Sequence, residues 1–265
     1  MSWLQTIVLS IVQGLTEFLP ISSSGHLVLV PVLFGWTDQG LTFDVAVHFG
    51  SLAAVAVYFR NDLKGLIAGG VRLLGGNSSS PESRMALFLI IGTVPAAIAG
   101  LSFAGWIEAN LRSPLVIVFT LSGYGVLMAL ADRFGRHERV IANVGLRDAI
   151  IIGLAQALAL VPGTSRSGVT ITAAMILGFQ RQDAARFSFL LSAPVILLAT
   201  IYEMSKLLIE GVDIAWGQLA IGITISAVVA YLSIDFFMRF VNAIGLMPFA
   251  IYRLGLAGVV LYAVV

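Results

Sequence analysis

The sequence contains no cysteine and few charged residues. Without cysteine it can form no disulfide, thiolate metal site or cysteine nucleophile. Only 11% of its 265 residues are charged and 58% are hydrophobic, which excludes a soluble domain because too much apolar surface would face water. Residues 1–19 lack a basic segment and a small-residue cleavage site, so no removable signal peptide is predicted.

Motifs of soluble enzymes are absent as well. There is no P-loop, Rossmann glycine pattern, HExxH motif or GxSxG elbow. The alternating segments typical of a membrane β-barrel are also missing. Several apolar runs instead approach the roughly 20 residues that cross a bilayer as a helix. Because lipid offers the backbone no hydrogen bonds, these features predict an all-α polytopic membrane protein.

Six apolar runs are predicted to be transmembrane helices. They cover residues 42–59, 85–106, 114–131, 187–209, 214–236 and 240–264. Two further apolar regions, 3–34 and 150–179, are interrupted by PISSSGH (20–26) and PGTSRSG (162–168). Each region fits a re-entrant helical hairpin, one kinked span or two short surface helices. Proline, glycine and small polar residues disfavour a continuous helix, so we expect two re-entrant hairpins.

The basic residues indicate the topology. If the first hairpin enters from outside the cytoplasm, eleven of the fifteen basic residues fall on one side of the membrane: Arg60, Lys64, Arg72, Arg84, Arg133, Arg136, Arg139, Arg147, Arg181, Arg186 and Arg239. Arg112 and Lys206 fall on the other side, while Arg166 and Arg253 lie inside apolar segments. The positive-inside rule predicts that both termini lie outside the cytoplasm and explains the loop arginines without a nucleic-acid partner.

An internal repeat relates the two interruptions at an offset of 143 residues. QGLTEFLPISSSGHL (13–27) aligns with QALALVPGTSRSGVT (156–170), with five identities in fifteen positions. One membrane domain is predicted, with repeats at about 1–131 and 148–265 and a cytoplasmic linker at 132–147. Three crossings in each repeat invert the second relative to the first, so the two polar hairpin tips should meet near the bilayer midplane.

Arg166 is the strongest indication of a functional site. A charge at the centre of a transmembrane helix costs about 2.5–3.5 kcal/mol, so it normally faces a cavity or a partner. Its neighbours offer hydroxyl groups or close backbone approach: Gly163, Thr164, Ser165, Ser167, Gly168 and Thr170. With the amides of a following half-helix, this set predicts a phosphate cradle. A structural ion pair with Glu17 is the alternative.

The first tip supplies different chemistry. Gln13 and Glu17 lie one helical turn apart and share a face, and the loop that follows carries Ser23 and His26. Together with Arg166, these groups can bind a phosphate, hold a divalent ion and transfer protons. A structural hydrogen bond explains His26 equally well.

Three polar residues lie in the apolar runs beyond the tips. Asp44 and His48, four residues apart, fit an intrahelical hydrogen bond, a supporting role beside the site, or an interfacial position. Arg253 lies midway along the last run and fits a lipid-phosphate contact or a helix-packing contact.

The sequence resembles the undecaprenyl-diphosphate phosphatases associated with bacitracin resistance. QGLTE (13–17) is similar to the family's acidic-or-Gln-x-x-x-Glu motif, and SSSGH (22–26) resembles its Ser-Ser-x-Gly-His stretch. PGTSRSGVT (162–170) fits its PGxSRSxxT motif completely. FDVAVHFGS (43–51) and YR (252–253) are similar to further family segments, and the length and hydropathy agree from end to end.

The resemblance implies a bacterial inner-membrane enzyme that removes the terminal phosphate from undecaprenyl diphosphate. Its product is the lipid carrier for peptidoglycan and other envelope polymers, and its site faces the extracytoplasmic side with a divalent cation, Mg²⁺ or Ca²⁺. Glu17 and Gln13 would serve the metal and acid–base side, and His26 or Ser23 would be the nucleophile or a proton-transfer group. The residues expected to hold the diphosphate are Arg166, Ser165, Ser167, Thr170, Gly163 and Gly168.

Gln13 departs from the pattern of some family members. Some family members have glutamate where this chain has Gln13, so a mechanism that requires two motif carboxylates cannot be general.

An inverted repeat with broken helices is also a transporter architecture, and a polyprenyl-phosphate flippase is the alternative function. Either protein would work on a polyprenyl lipid within the bilayer. A homodimer is compatible with a helical membrane protein of this size, but the sequence specifies no interface.

Overall fold

Eleven α-helices make up the described part of the chain. The computed structural model describes residues 1–77, 79–111, 113–210 and 215–264; Arg112, used in the topology prediction, lies outside them. The helices are α1 Trp3–Thr16, α2 Ser23–Phe34, α3 Leu41–Tyr58, α4 Arg60–Leu74, α5 Pro81–Asn110, α6 Pro114–Phe134, α7 Leu146–Leu158, α8 Arg166–Ile176, α9 Arg181–Glu210, α10 Trp216–Ile244 and α11 Met247–Val264. The prediction of an all-α polytopic membrane protein is confirmed.

Five helices are long and apolar enough to cross a membrane, judged by length and composition. They are α3, α6 and α10, with Pro81–Ile107 of α5 and Arg181–Lys206 of α9. Large apolar side chains project from them into the surroundings; Phe119 on α6, for example, is 74% exposed. Such exposure is favourable only where the surroundings are lipid. The sixth crossing, expected from the last apolar run, remains a prediction.

Two connections differ from the prediction. Residues 237–239 were expected to join two spans, but α10 continues through them to Ile244, and Arg239 pairs with Asp235 one turn earlier at 2.9 Å. The chain turns instead at Gly245, which has a φ of +71°. Residues 60–84 were expected to be a connection but contain helix α4, because Leu63 and Leu66 pack against the main core while charged residues face outward.

The two interrupted regions form pairs of short helices. α1 and α2 contain 14 and 12 residues, and α7 and α8 contain 13 and 11. At 1.5 Å per residue, none reaches the roughly 30 Å of a bilayer core. The lengths fit the predicted re-entrant hairpins, whose position in a membrane remains a prediction.

The two halves repeat their local structure and packing. Ser22 and Ser165, which are 143 residues apart, cap α2 and α8 with positive φ angles of 76° and 71°. Their hydroxyls accept hydrogen bonds from the amides of Gly25 and Gly168 at 3.3 and 3.1 Å. α10 packs against α1 and α3, and α5 packs against α7 and α9. The offset found in the sequence is thus also present in the backbone.

An aromatic cluster includes Phe18 of the first hairpin tip. Phe189 on α9 contacts Phe18 of the first tip, Phe59 and Phe237, with ring centroids 5.2, 6.3 and 5.7 Å apart. All four rings are buried. The first tip is therefore anchored in a closely packed aromatic cluster through Phe18.

Candidate active site

The two hairpin tips are in direct contact. The Ser167 hydroxyl, in the first turn of α8, hydrogen-bonds the backbone carbonyls of Glu17 and Leu19 at 3.2 Å each. Arg166 Nη2 donates to Glu17 Oε1 at 3.0 Å. Residues separated by about 150 positions thereby form one cluster. The tips meet as the inverted repeat predicts.

Close backbone packing sets the course of the second tip. Gly163 has a φ of +86°, and a Cβ atom there would lie 2.2 Å from Thr120 Oγ1 and 3.1 Å from the backbone of Ile117 on α6. Thr120 Oγ1 donates to the carbonyl of Pro162 at 2.7 Å. Only glycine fits both the backbone conformation and the space. Gly163 therefore positions the loop that carries Arg166.

Glu17 is the centre of the cluster. Its Oε2 accepts hydrogen bonds from the Ser23 hydroxyl at 2.7 Å and from Gln13 Nε2 at 3.1 Å, while Oε1 receives Arg166. The residue is only 6% exposed, and Gln13 is fully buried. A carboxylate with three donors is held ionised and in a fixed orientation.

Arg166 has hydrogen-bonding capacity to spare. Its Nη1 donates to the carbonyl of Ser188 at 3.2 Å, and its guanidinium lies 5.8 Å above the ring of Phe18. Its buried Nε has no hydrogen-bond partner within the described residues. The ion pair with Glu17, which the sequence left as an alternative, is present, but it uses only part of the guanidinium. The remaining donor suits an anionic ligand.

Arg253 holds both tips in place. Its guanidinium donates to the carbonyls of Pro20 in the first tip and of Gly163 and Thr164 in the second, at 3.4, 3.0 and 3.0 Å. It also donates to the carbonyls of Thr120 and Leu121 on α6. The side chain is 1% exposed. The structure supports the packing alternative for this arginine, which fixes one tip against the other.

His26 lies outside the Glu17 cluster. Its Nδ1 is 2.7 Å from the carbonyl of Ser22, and its Nε2 is 2.7 Å from the hydroxyl of Tyr252. The two rings are stacked, with centroids 5.7 Å apart. Because the carbonyl only accepts, Nδ1 carries the proton and the neutral Nε2 accepts from Tyr252. Both ring nitrogens are thus occupied, and the arrangement holds the second motif against α11.

The other predicted phosphate-binding residues build the second tip. Ser165 caps α8, and a Cβ at Gly168 would lie 3.0 Å from the Ser165 hydroxyl. The Thr170 hydroxyl is buried and bonded to the Arg166 carbonyl and the Ser188 hydroxyl at 2.7 and 2.6 Å. Thr164 differs, since its buried hydroxyl has no partner within the described residues. Apart from Thr164, the hydroxyls of this tip are used in contacts that shape the loop.

His48 joins the cluster, although sequence reasoning did not place it in the site. Its Nε2 lies 3.5 Å from Glu17 Oε2, and its Nδ1 is 2.7 Å from the carbonyl of Asp44. The imidazole is 31% exposed. The four-residue spacing from Asp44 was a visible signal, but it fitted an intrahelical hydrogen bond or a position near the membrane interface equally well.

The donor atoms fit a hard divalent cation shared with a substrate. Mg²⁺ and Ca²⁺ prefer oxygen ligands, and Mg²⁺ is commonly bound by one or two carboxylates together with substrate phosphates. Glu17 supplies a carboxylate, and the buried Oε1 of Gln13 has no hydrogen-bond partner within the described residues. No cage of three or more acidic or histidine residues occurs in that part of the chain. The ion would therefore need oxygens from the substrate.

Comparison with known proteins gives a consistent result. The family model described as "Bacitracin resistance protein BacA" matches residues 6–259. The chain is 53% identical over 254 residues to the undecaprenyl-diphosphatase of Hahella chejuensis, covering 96% of this chain and 95% of that protein. It is 51% identical over 265 residues to the undecaprenyl-diphosphatase of Teredinibacter turnerae, covering all of both. The chain belongs to the bacitracin resistance protein family.

Proposed function

We propose that this protein removes the terminal phosphate from undecaprenyl diphosphate and releases undecaprenyl phosphate and inorganic phosphate. The ion pair between Glu17 and Arg166 across the two tips carries the proposal. It places a general base beside a cation that can hold a diphosphate. The related undecaprenyl-diphosphatases support the choice of substrate. Its product would re-enter peptidoglycan and envelope synthesis, which is consistent with the bacitracin-resistance family.

Arg166 binds the diphosphate in this mechanism. Its unpaired Nε and part of its Nη face are the donors for the anionic oxygens. Phosphoryl transfer depends mainly on positioning and on stabilising charge over the equatorial oxygens. The backbone contacts of Arg253 keep this arginine and Glu17 at a constant separation, so little reorganisation is needed when the substrate binds.

Ser23 is better placed than His26 to attack phosphorus. Its hydroxyl donates to Glu17 Oε2 at 2.7 Å, the contact expected between a nucleophile and its base. In the proposed reaction Ser23 Oγ bonds to the terminal phosphorus, its proton passes to Glu17, and the bond to the bridging oxygen breaks. Glu17 returns that proton to the departing phosphate oxygen. Glu17 then takes a proton from a water molecule as that water attacks the phosphoserine. Glu17 gives this proton to Ser23 Oγ as inorganic phosphate leaves.

A divalent cation, Mg²⁺ or Ca²⁺, would be held by Glu17 and Gln13. When bound, it would neutralise charge on the diphosphate oxygens. The protein contributes the fixed orientation of both side chains. Gln13 Nε2 is anchored to Glu17 and, at 3.4 Å, to the Ser51 hydroxyl, which directs its free carbonyl oxygen.

The polyprenyl chain would lie along the lipid-facing helices with its diphosphate at the tips. We place the protein in the bacterial cytoplasmic membrane, with both termini and the entrance to the site on the extracytoplasmic side. The distribution of basic residues supports this orientation. The partial exposure of Ser23 and His48 supports an entrance on their side of the cluster.

Phosphate release from a polyprenyl diphosphate by detergent-purified protein tests the proposal. The wild type, assayed with and without EDTA, should release phosphate only when a divalent cation is present. Glu17→Gln and Arg166→Gln should each lower the rate by roughly 10²-fold or more, because each removes a group that stabilises the transition state.

Matched controls separate chemistry from folding. Glu82→Gln and Arg239→Gln make the same changes at exposed surface pairs and should retain wild-type rates. Well-folded wild-type protein that releases no phosphate with any divalent ion, but moves labelled lipid between leaflets, would contradict the phosphatase and favour the flippase.

A further inference from the structure

Two acceptor atoms face each other where His48 meets Glu17. His48 Nδ1 lies 2.7 Å from the Asp44 carbonyl oxygen, which can only accept, so Nδ1 carries a proton. In a neutral imidazole, Nε2 then has a lone pair. The Nε2 atom lies 3.5 Å from the Glu17 carboxylate oxygen Oε2. A cation between these two atoms, either a proton or a metal ion, would make their contact favourable.

The distance suits two neighbouring ligands of one metal ion. Metal–oxygen distances of 2.0–2.1 Å for Mg²⁺ and 2.3–2.6 Å for Ca²⁺ put ligands at right angles about 3.0 and 3.3–3.7 Å apart. The observed 3.5 Å separation lies within the Ca²⁺ range and is about 0.5 Å longer than the Mg²⁺ value. A metal-bound histidine normally donates its other ring N–H to a carboxylate or a backbone carbonyl, and His48 has that arrangement with Asp44.

We propose that His48 Nε2 is a ligand of the divalent cation, beside Glu17 and the diphosphate oxygens. This inference rests on the proposed function. Charge agrees with it: Arg166 and Glu17 carry opposite charges, a coordinated imidazole adds no charge, and the metal offsets two negative charges of the diphosphate. An imidazole ligand also favours transition metals over Ca²⁺. The site should therefore bind Mn²⁺ more tightly than an all-oxygen site would.

Electron spin-echo spectroscopy of bound Mn²⁺ tests the ligand directly. The sample is purified full-length protein, carrying a histidine-free tag, with Mn²⁺ and methylenediphosphonate as a non-hydrolysable diphosphate. A coordinated imidazole gives ¹⁴N modulation, which should change to the ¹⁵N pattern when histidine is ¹⁵N-labelled. The sequence contains only three histidines, so single substitutions assign the signal.

His48→Gln should abolish the nitrogen modulation and weaken Mn²⁺ binding roughly tenfold or more. His137→Gln is the matched control, because His137 lies in the connection after α6, where its ring bonds the Asp132 carbonyl. This substitution should leave the nitrogen modulation and Mn²⁺ binding unchanged. If His48→Gln does not fold, the His26→Gln, His137→Gln double variant assigns the signal, because His48 is then the only histidine present.

Three results would overturn the inference. They are a wild type without imidazole modulation, modulation that survives in His48→Gln, and modulation that disappears in His26→Gln. Failure of Mn²⁺ to bind with methylenediphosphonate would overturn it too. Phosphate release by the wild type is measured separately, so a failed ligand assignment is distinguishable from a failed phosphatase.

Discussion

Arg253→Lys is the substitution that tests most stringently how the tips are held together. The guanidinium donates to five backbone carbonyls, and four of these hydrogen bonds are buried: Pro20, Thr120, Leu121, Gly163 and Thr164. A lysine ammonium keeps the charge but has three N–H groups, so at least two carbonyls lose their donor. A hydrogen bond from a charged group is worth about 1.5–3 kcal/mol, which gives about 3–6 kcal/mol for the pair.

This cost should appear in both stability and catalysis. We expect Arg253→Lys to lower the thermal melting temperature in detergent and to reduce kcat for phosphate release more than it changes KM, because the tips lose their fixed separation. Arg239→Lys is the control: its pair with Asp235 is exposed and is worth less than about 1 kcal/mol. Wild-type melting and wild-type kcat in Arg253→Lys would refute the argument that this arginine positions the site.

Three further substitutions have distinct expected outcomes. Gly163→Ala should lower both melting temperature and activity, since its φ of +86° and the nearby Thr120 leave no room for a methyl group; a neutral result would contradict this. Asp132→Asn removes the charge partner of Arg181, at 2.5 Å, and should cost about 1–3 kcal/mol of stability because the arginine is partly exposed. Its kcat per folded molecule should stay unchanged, and a selective loss of kcat would be unexpected. Ser23→Ala should eliminate any phosphoenzyme trapped by rapid quenching, and a trapped species that persists would exclude Ser23 as the nucleophile.

The contact between the tips could be predicted from the sequence because it follows from symmetry. Two Ser-Gly interruptions at a constant offset, in halves with an odd number of crossings, have to approach each other. The proximity of Glu17 and Arg166 agrees with that geometry, since each lies in the interruption of its own half: Glu17 directly follows α1, and Arg166 begins α8. Amphipathic helix α4 could not be recognised as readily, because its charges had already been assigned to a cytoplasmic connection.

The roles of Arg253 and His48 could not be read from the sequence. Arg253 bonds backbone carbonyls, and every residue has a carbonyl, so no residue type marks its partners. His48 reaches Glu17 from a different helix, and that contact depends on the rotation of α3 against α1. His26 shows the opposite case. Its place in a serine-rich motif predicted a role in the reaction, but in the structure its ring is held by Ser22 and Tyr252.

A double-mutant cycle on Glu17 and Arg166 tests most directly whether the two tips form one active site. The values of kcat/KM for phosphate release are compared among the wild type, Glu17→Gln, Arg166→Gln and the double variant. Groups that act as a unit have non-additive effects, and these two are bonded at 3.0 Å. We predict that the double variant is hardly slower than the slower single variant. Losses that multiply across the two substitutions would contradict a shared site.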